Sequence, residues 1–357
     1  MTISGDTPLE DRLADDEVLG WRLQLAYAGL HPDATAVLLD AHGPEGAVAR
    51  VRAARSGNTR AAEAAAIPAV ARVEELAELG VAVRFRGGPG YPPHLGELPG
   101  APDVLFVLGL WPTGPTVAVV GTRRCTAYGR NLAAAYGHTI ADAGWVLVSG
   151  LARGIDGAAH RGTVAASGKG AAVLGCGLDV AYPREHASLR DELLALGGAV
   201  VSEYPPGTPP EAWRFPPRNR IISGSAQAVV VVEAAVRGGA LITASLALEQ
   251  GVPVFATPGD VGKPAAAGCN LLIRDGAHPV LDPADLIAEL ELILGPVARR
   301  VAGPADQFPW EGITIDDLAR SQGTSVADAA ATLARAETAG AVARNGDRYY
   351  PTLGKSR

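Results

Sequence analysis

"TVAVVGTRRCTAYGRNLAAAYGHTIADAGWVLVSG" runs from Thr116 to Gly150. TVAVV and WVLVS are short β-branched runs, each followed by glycine, and the segment between them has helical period. A strand, a turn, a helix and a second strand make a βαβ unit, which requires a parallel sheet. The same rhythm continues on both sides. "DVLFVLG", "GAAVLG", "GAVVSE", "QAVVVVEA" and "VPVFATPG" are further strand candidates, and helical stretches such as "GALITASLALEQG" follow several of them. Uninterrupted apolar strands are buried on both faces. The expected core, over residues 76–297, is therefore an α/β, doubly wound and mostly parallel sheet. In such folds ligands bind beyond the carboxyl ends of the strands.

The flanks differ in pattern. Residues 1–75 are Ala-rich and helical in period, with "VLGWRLQLAYAGL" as the clearest amphipathic piece and "AHGPEG" as a break. No catalytic constellation occurs there, which fits a small helical module. After the Pro/Gly-containing linker "LGPVARRVAGPADQFPW", residues 305–357 read helix, turn, helix and hairpin, a winged-helix outline. Ser325 and Asp328 fit a capping box, Gly340 a helix stop, and Asn345-Gly346 a tight turn. The second helix carries Arg335 but also Asp328 and Glu337, and is mostly alanine. A packing or docking role there weighs at least as much as groove reading.

Composition narrows the function classes. The chain has 357 residues and 48% hydrophobic content, yet no apolar run approaches a membrane span, and the acidic start lacks the features of a signal peptide. Cys125, Cys176 and Cys269 are far apart, which points to a reducing cytoplasm and against structural zinc. A net charge of -7 opposes general coating of nucleic acid but not a local basic pocket.

Basic residues gather at the strand ends. From Thr116 to Gly170 there are six Lys/Arg against two Asp. In "VAVVGTRR", Gly121 and Thr122 lead to Arg123 and Arg124 and then a helix, a phosphate-receptive arrangement. The dinucleotide fingerprint GxGxxG is absent. In "VSGLARGIDGAAH", Ser149 and Gly150 end a strand, Arg153 lies in the loop, and Gly154 allows close approach. Asp156 suits the next helix start and is spaced to pair with His160, structurally rather than catalytically, because no nucleophile is identifiable. Cys176 in "LGCGLDVAYPREH" reads as a small buried cysteine, while Asp179, Tyr182 and Arg184 suit a cleft. "WRFPPRNRIISG" (213–224) combines Arg214, Arg218 and Arg220 with Trp213 and Phe215 and has no acid, a composition suited to phosphate contacts and base stacking. The six prolines from Pro205 to Pro217 predict an extended, stiff segment. Gly238, Gly239 and Thr243 mark another anion-receptive helix start. Glu233, at a strand end, is a base or a partner for Arg218 or Arg220. The second role is favoured because a buried arginine needs one.

"GTRRCTAYG", "VSGLARGIDGAAH", "GCGLDVAYPREH", "SEYPPG", "FPPRNRIISG", "VVEA", "GGALITA" and "FATPGD", in order over roughly residues 100–295, closely resemble the DNA-processing protein A (DprA/Smf) family. The resemblance implies an extended Rossmann fold, an N-terminal helical domain of SAM or helix-hairpin-helix type and a C-terminal winged helix. It also implies a non-enzymatic protein, without cofactor or metal, that binds single-stranded DNA, protects incoming DNA in natural transformation, loads the RecA recombinase and dimerises through the Rossmann domain. It assigns DNA contacts to Arg123, Arg184, Arg214 and Phe215, and contact or bracing to Arg218, Asn219 and Arg220. The sequence departs from the family at "RGGALITA", where "SGSLITA" is usual, and at His186, where asparagine is common.

The competing class is an enzyme that hydrolyses nucleotide N-glycosidic bonds with Glu233 beside the Gly238-Gly239 turn. A mononucleotide site needs one phosphate clamp, whereas a polymer needs arginines spread along a groove. The several basic turns favour the polymer. Charge reversal at Arg123 or Arg218 is then expected to abolish binding without unfolding the domain.

Overall fold

Most of the seven predicted strands end at a glycine or a small polar residue, and all seven are found in one central sheet. The computed structural model describes residues 7–54, 59–297, 313–338 and 342–351. Within them the strands are β1 (Ala82–Phe85), β2 (Val104–Gly109), β3 (Thr116–Val120), β4 (Val146–Ser149), β5 (Gly170–Leu174), β6 (Ala199–Ser202), β7 (Ala228–Val231), β8 (Val254–Ala256) and β9 (His278–Pro279). Their order is β1-β2-β6-β5-β4-β3-β7-β8-β9. Strands β3 to β9 pair in parallel, and β1 and β2 add an antiparallel edge. The sequence reading did not anticipate β1 and β9. The first carries Arg84 in mid-strand, and the second is two residues ending in proline.

The helices are α1 (Leu9–Asp15), α2 (Glu17–Tyr27), α3 (Pro32–Ala53), α4 (Thr59–Ala66), α5 (Val73–Glu78), α6 (Pro93–Glu97), α7 (Ala127–Asp142), α8 (Ile155–Ala165), α9 (Ala187–Ala195), α10 (Phe215–Gly224), α11 (Gly239–Glu249), α12 (Pro264–Arg274) and α13 (Pro283–Leu294). Alternation along β3 explains the two faces. Val117 and Val119 pack with α7, α8 and α13 through Tyr136, Ile155 and Leu286. Ala118 and Val120 face the other way, toward Ile221 and Ile222 of α10 and Ala244 of α11. Helices thus cover both sides of a buried parallel sheet, the extended Rossmann-like arrangement. None of the described helices is long and apolar enough to cross a membrane.

Helices α7 and α8 meet backbone to backbone. A Cβ at Gly137 would collide with the Ala159 carbonyl, and one at Gly162 with the Ala134 carbonyl. Thr163 Oγ1 donates across the same seam to Gly137 O at 3.2 Å.

The N-terminal helices do not stand apart. Leu23 of α2 and Leu76 of α5 lie in one cluster with Phe106, Leu174 and Leu189 of the sheet layer. "AHGPEG" is a kink: α3 runs through it with Gly43 at φ 65°. At the other end, α14 (Ile315–Gln322), α15 (Val326–Thr338) and the hairpin β10 (Val342–Asn345) with β11 (Arg348–Pro351) surround Leu318, Leu333 and Tyr349. Ser325 Oγ accepts from Asp328 N at 3.1 Å, as the capping box requires. Arg348 pairs with Asn345, so the tight turn is Gly346-Asp347. Gly340 lies outside the described residues.

Candidate nucleic-acid interface

The sheet order reverses between β3 and β7. After β3 the chain winds one way through β4, β5 and β6, and after β7 the other way through β8 and β9. Loops diverging from such a point leave a crevice at the carboxyl ends of the strands. Here the crevice is a cavity of about 410 Å³. Gly121, Thr122 and Arg123 enter from the turn after β3, and Asp156 enters from α8. Phe215, Arg218 and Asn219 come from α10, and Gly238, Gly239 and Thr243 from the start of α11.

Arg123 is exposed, and its guanidinium lies 4.8 Å over the Phe215 ring. Tyr182 packs on the same ring with centroids 5.4 Å apart. A guanidinium held on an aromatic face keeps its N–H fork free for a phosphate. Among the described residues Arg123 has no ion pair.

Arg218 is a different kind of residue. It is 3% exposed, and its Nη1 donates to Gly150 O at 3.0 Å and to Val173 O. Burial pushes its pKa down to about 10, with Asp156 opposing the shift, so it stays charged at neutral pH. Burial pushes the Asp156 carboxyl up, with Arg218 opposing. Both line the cavity, and each charge acts on the other through space, without a direct ion pair among the described residues. The predicted pairing of Asp156 with His160 is not found.

Glu233 corrects two further expectations. It is 7% exposed, accepts from Thr126 N at 2.8 Å and Thr126 Oγ1 at 2.5 Å, and does not line the cavity. Thr126 is the N-cap of α7, its Oγ1 accepting from Gly129 N at 3.0 Å. The start of α7, expected to hold phosphate, is already filled by a protein carboxylate. Glu233 holds neither Arg218 nor Arg220. Arg220 pairs instead with Glu203 at 2.7 Å and donates to Gly100 O at 2.7 Å, which fixes the lead-in loop. The helix start that stays open is α11, where N-cap Gly238 supplies no side-chain bond and Gly239 and Ala240 face the cavity.

A second basic hollow of about 380 Å³ adjoins the first through Arg123. Arg124, Arg130, Arg153, Gly154 and Arg161 line it, with Glu185 as the carboxylate. Glu185 pairs with Arg153, whose hydrogen bond holds its carboxyl down at about 2. Arg130 and Arg161 were not singled out in the sequence, although both sit on the helices that open from the basic turns.

The remaining predicted residues fall elsewhere. Ser149 is fully buried and bonds Val119 O at 2.6 Å, and Gly150 lies beneath Arg218, so both support the floor. Arg184 is exposed and lines neither hollow. Arg214 is buried, with Nη1 on Pro209 O at 2.7 Å, and faces another cavity. Asp179 accepts from Gly207 N rather than lining a cleft. The segment expected to be extended through Pro217 is helical from Phe215, because Pro216 and Pro217 occupy the first helical positions, where no N–H partner is needed. Burial pushes the Cys176 thiol up to about 11, which suits an inert buried cysteine. The family departure at His186 has a local role, its Nδ1 lying 2.9 Å from Leu151 O, in the loop where Leu151 takes φ 51°.

His160 makes the fold acid-sensitive. It is fully buried, and burial, reinforced by His186, holds its pKa down at about 3. An unfolded histidine titrates near 6.5, so the unfolded state gains a proton first. The stabilisation is complete above about pH 6.5 and is lost as pH falls toward 3. The raised Asp156 carboxyl works in the opposite sense. A His160→Leu variant is expected to lose less melting temperature than wild type between pH 7.5 and pH 5, in circular dichroism melts. Equal losses would remove His160 as the cause.

Among known proteins, the family model for DNA recombination-mediator protein A matches residues 82–291. "Protein Smf" of Escherichia coli is 46% identical over 203 residues, which cover 56% of this chain and 54% of that protein. The aligned stretch is thus about half the length of that relative. A "Putative DNA processing protein DprA" of Mycobacterium tuberculosis is 36% identical over 342 residues, 85% of this chain and 87% of that one. The structure of DNA processing protein A from Streptococcus pneumoniae superposes with a TM-score of 0.61 at 33% identity, covering 74% of this chain and 95% of its own. A Helicobacter pylori DNA processing protein A, solved for its single-stranded DNA binding mode, superposes with a TM-score of 0.52 at 25% identity, covering 59% and 95%. With the matched region spanning the whole sheet and both basic hollows, the chain belongs to the DNA recombination-mediator protein A family.

Proposed function

We propose that this chain binds single-stranded DNA along the arginine-lined crevice at the sheet switch point, without reacting with it, and serves as a recombination mediator. The observation that carries the reading is Arg123, exposed, braced on Phe215 and shared by two adjoining basic hollows. Several guanidinium groups along a track suit a polymer of phosphates, and the open start of α11 adds backbone donors. The DNA-binding mode named for the Helicobacter pylori relative agrees with this. By the same family logic the protein acts in the cytoplasm as a homodimer through its Rossmann domain, protects incoming DNA in transformation and hands the strand to RecA recombinase.

Glycosidic hydrolysis is disfavoured by the placement of Glu233, which is buried under Thr126 and absent from the cavity lining. Glu233→Gln is expected to leave oligo-dT affinity within about twofold and to destabilise the fold by about 1 kcal/mol through the weakened helix cap. The proposal itself is tested by fluorescence anisotropy of labelled oligo-dT across a salt series. Affinity that falls steeply with salt is expected. Absent binding, together with base release from a nucleoside monophosphate that Glu233→Gln abolishes, would replace it with the enzyme reading.

A further inference from the structure

A third cavity, of about 340 Å³, lies between the N-terminal helices and the proline-rich segment. Arg60 of α4, Arg72 before α5 and Arg214 all line it. Its polar chemistry is unfinished. Tyr27 Oη, Arg72 Nε and Arg214 Nε are buried and have no hydrogen-bond partner among the described residues. Buried donors in folded proteins are nearly always satisfied, so the wall of this cavity is short of acceptors, and three guanidinium groups border it. Arg214 is held in place by stacking, 4.5 Å over Trp213 and 5.3 Å over Tyr204, and Arg72 lies 4.4 Å over Tyr27. Glu75 leans weakly on Arg72 at 3.5 Å, and Glu211 lies 3.1 Å from Arg214. Arg60 is exposed and has no ion pair among the described residues, which leaves one guanidinium in surplus. An anion with several acceptor oxygens fits this set.

The cavity also has a neighbour. Pro210 and Ala212 line the switch-point crevice, while Pro205 to Pro209 and Arg214 line this one. One short stretch of chain is therefore the wall between them. Trp213, 38% exposed, lies in that stretch and stacks on His31 of the helical module at 5.6 Å. Its ring is held between His31 and the Arg214 guanidinium, so it braces the wall that a strand would cross.

We propose that this cavity is a second phosphodiester subsite, so that a strand seated in the switch-point crevice crosses the proline wall and continues onto the helical module. The inference rests on the single-stranded DNA reading and extends it to residues outside the matched region. It assigns Arg60 and Arg72 to DNA contact and gives Arg214 a place in a different pocket from Arg123.

The test is anisotropy with a short labelled oligo-dT of about 6 nucleotides and a longer one of about 20. Arg60→Glu, at an exposed position, should weaken the long oligonucleotide about tenfold and leave the short one unchanged, and should lower its salt slope by about 0.7. Glu75→Gln removes the competing carboxylate and should tighten the long one severalfold. If both variants match wild type at both lengths while Arg123→Glu weakens both, the second subsite is wrong and the DNA reading stands. If inorganic phosphate at constant ionic strength stabilises wild type but not Arg60→Glu, with no length-selective effect, the cavity takes a free anion and the strand path is overturned. If folded wild type binds neither length, the DNA reading fails and this inference with it.

Discussion

Arg123→Glu is expected to lower oligo-dT affinity by roughly 30- to 150-fold, a loss of about 2–3 kcal/mol. The guanidinium is exposed and stacked on Phe215, so it is positioned before DNA arrives. The substitution removes a charge-assisted contact and adds a carboxylate where two basic hollows meet. The salt slope should fall by about 0.7 or more, since at least one fewer counterion is released. Nothing in the core depends on Arg123, so the melting temperature should stay near that of wild type. Unchanged affinity in a folded variant would move the strand away from this crevice.

Arg218→Glu, in the same cavity, is expected to fail for the opposite reason. Arg218 is 3% exposed and bonded to two backbone carbonyls, and its charge faces Asp156. Taking away the charge that offsets a buried opposite charge costs up to about 3–5 kcal/mol, the figure for a broken buried pair. Replacing it with a second carboxylate also adds repulsion, against a total stability of about 5–15 kcal/mol for most proteins. The expected product is insoluble or unfolded at 25 °C by circular dichroism. Charge reversal without unfolding, the expectation from sequence, therefore applies to Arg123 only. Arg218→Met should be milder, because Asp156 can then take up a proton. A folded Arg218→Glu protein with wild-type melting would show that the floor is wetter than its geometry indicates.

The contrast between these two arginines shows what the sequence could and could not carry. Strand positions were legible because apolar runs end at Gly121, Gly150, Gly175 and their equivalents, and the crevice follows from where such runs end. Arg123 was legible because it stands directly in a strand-to-helix turn. Arg218 and Arg220 were not separable. Two residues apart on a helix they point in different directions, but the prolines made the segment read as extended, and without a helix there is no facing. Pro216 and Pro217 begin α10 instead of preventing it. Arg218 then meets the sheet and Asp156, and Arg220 meets Glu203. Glu233 was misplaced for a related reason. Its partner Thr126 is distant in sequence, and a carboxylate beside a glycine-rich turn looks the same whether it caps a helix or faces a substrate. The third cavity was invisible because it is assembled from α4, the residues before α5 and the 205–214 segment, and none of these reads as a motif alone.

The seam between α7 and α8 bears on how saturation mutagenesis of this protein would be read. Gly137 and Gly162 have no room for any side chain, since even a methyl group would strike a facing carbonyl. In a scan scored by DNA binding they would rank with Arg123 as intolerant, though they line neither basic hollow. A parallel abundance readout would part the two groups: glycine variants would vanish from the soluble pool, while Arg123 variants would accumulate and fail only in binding.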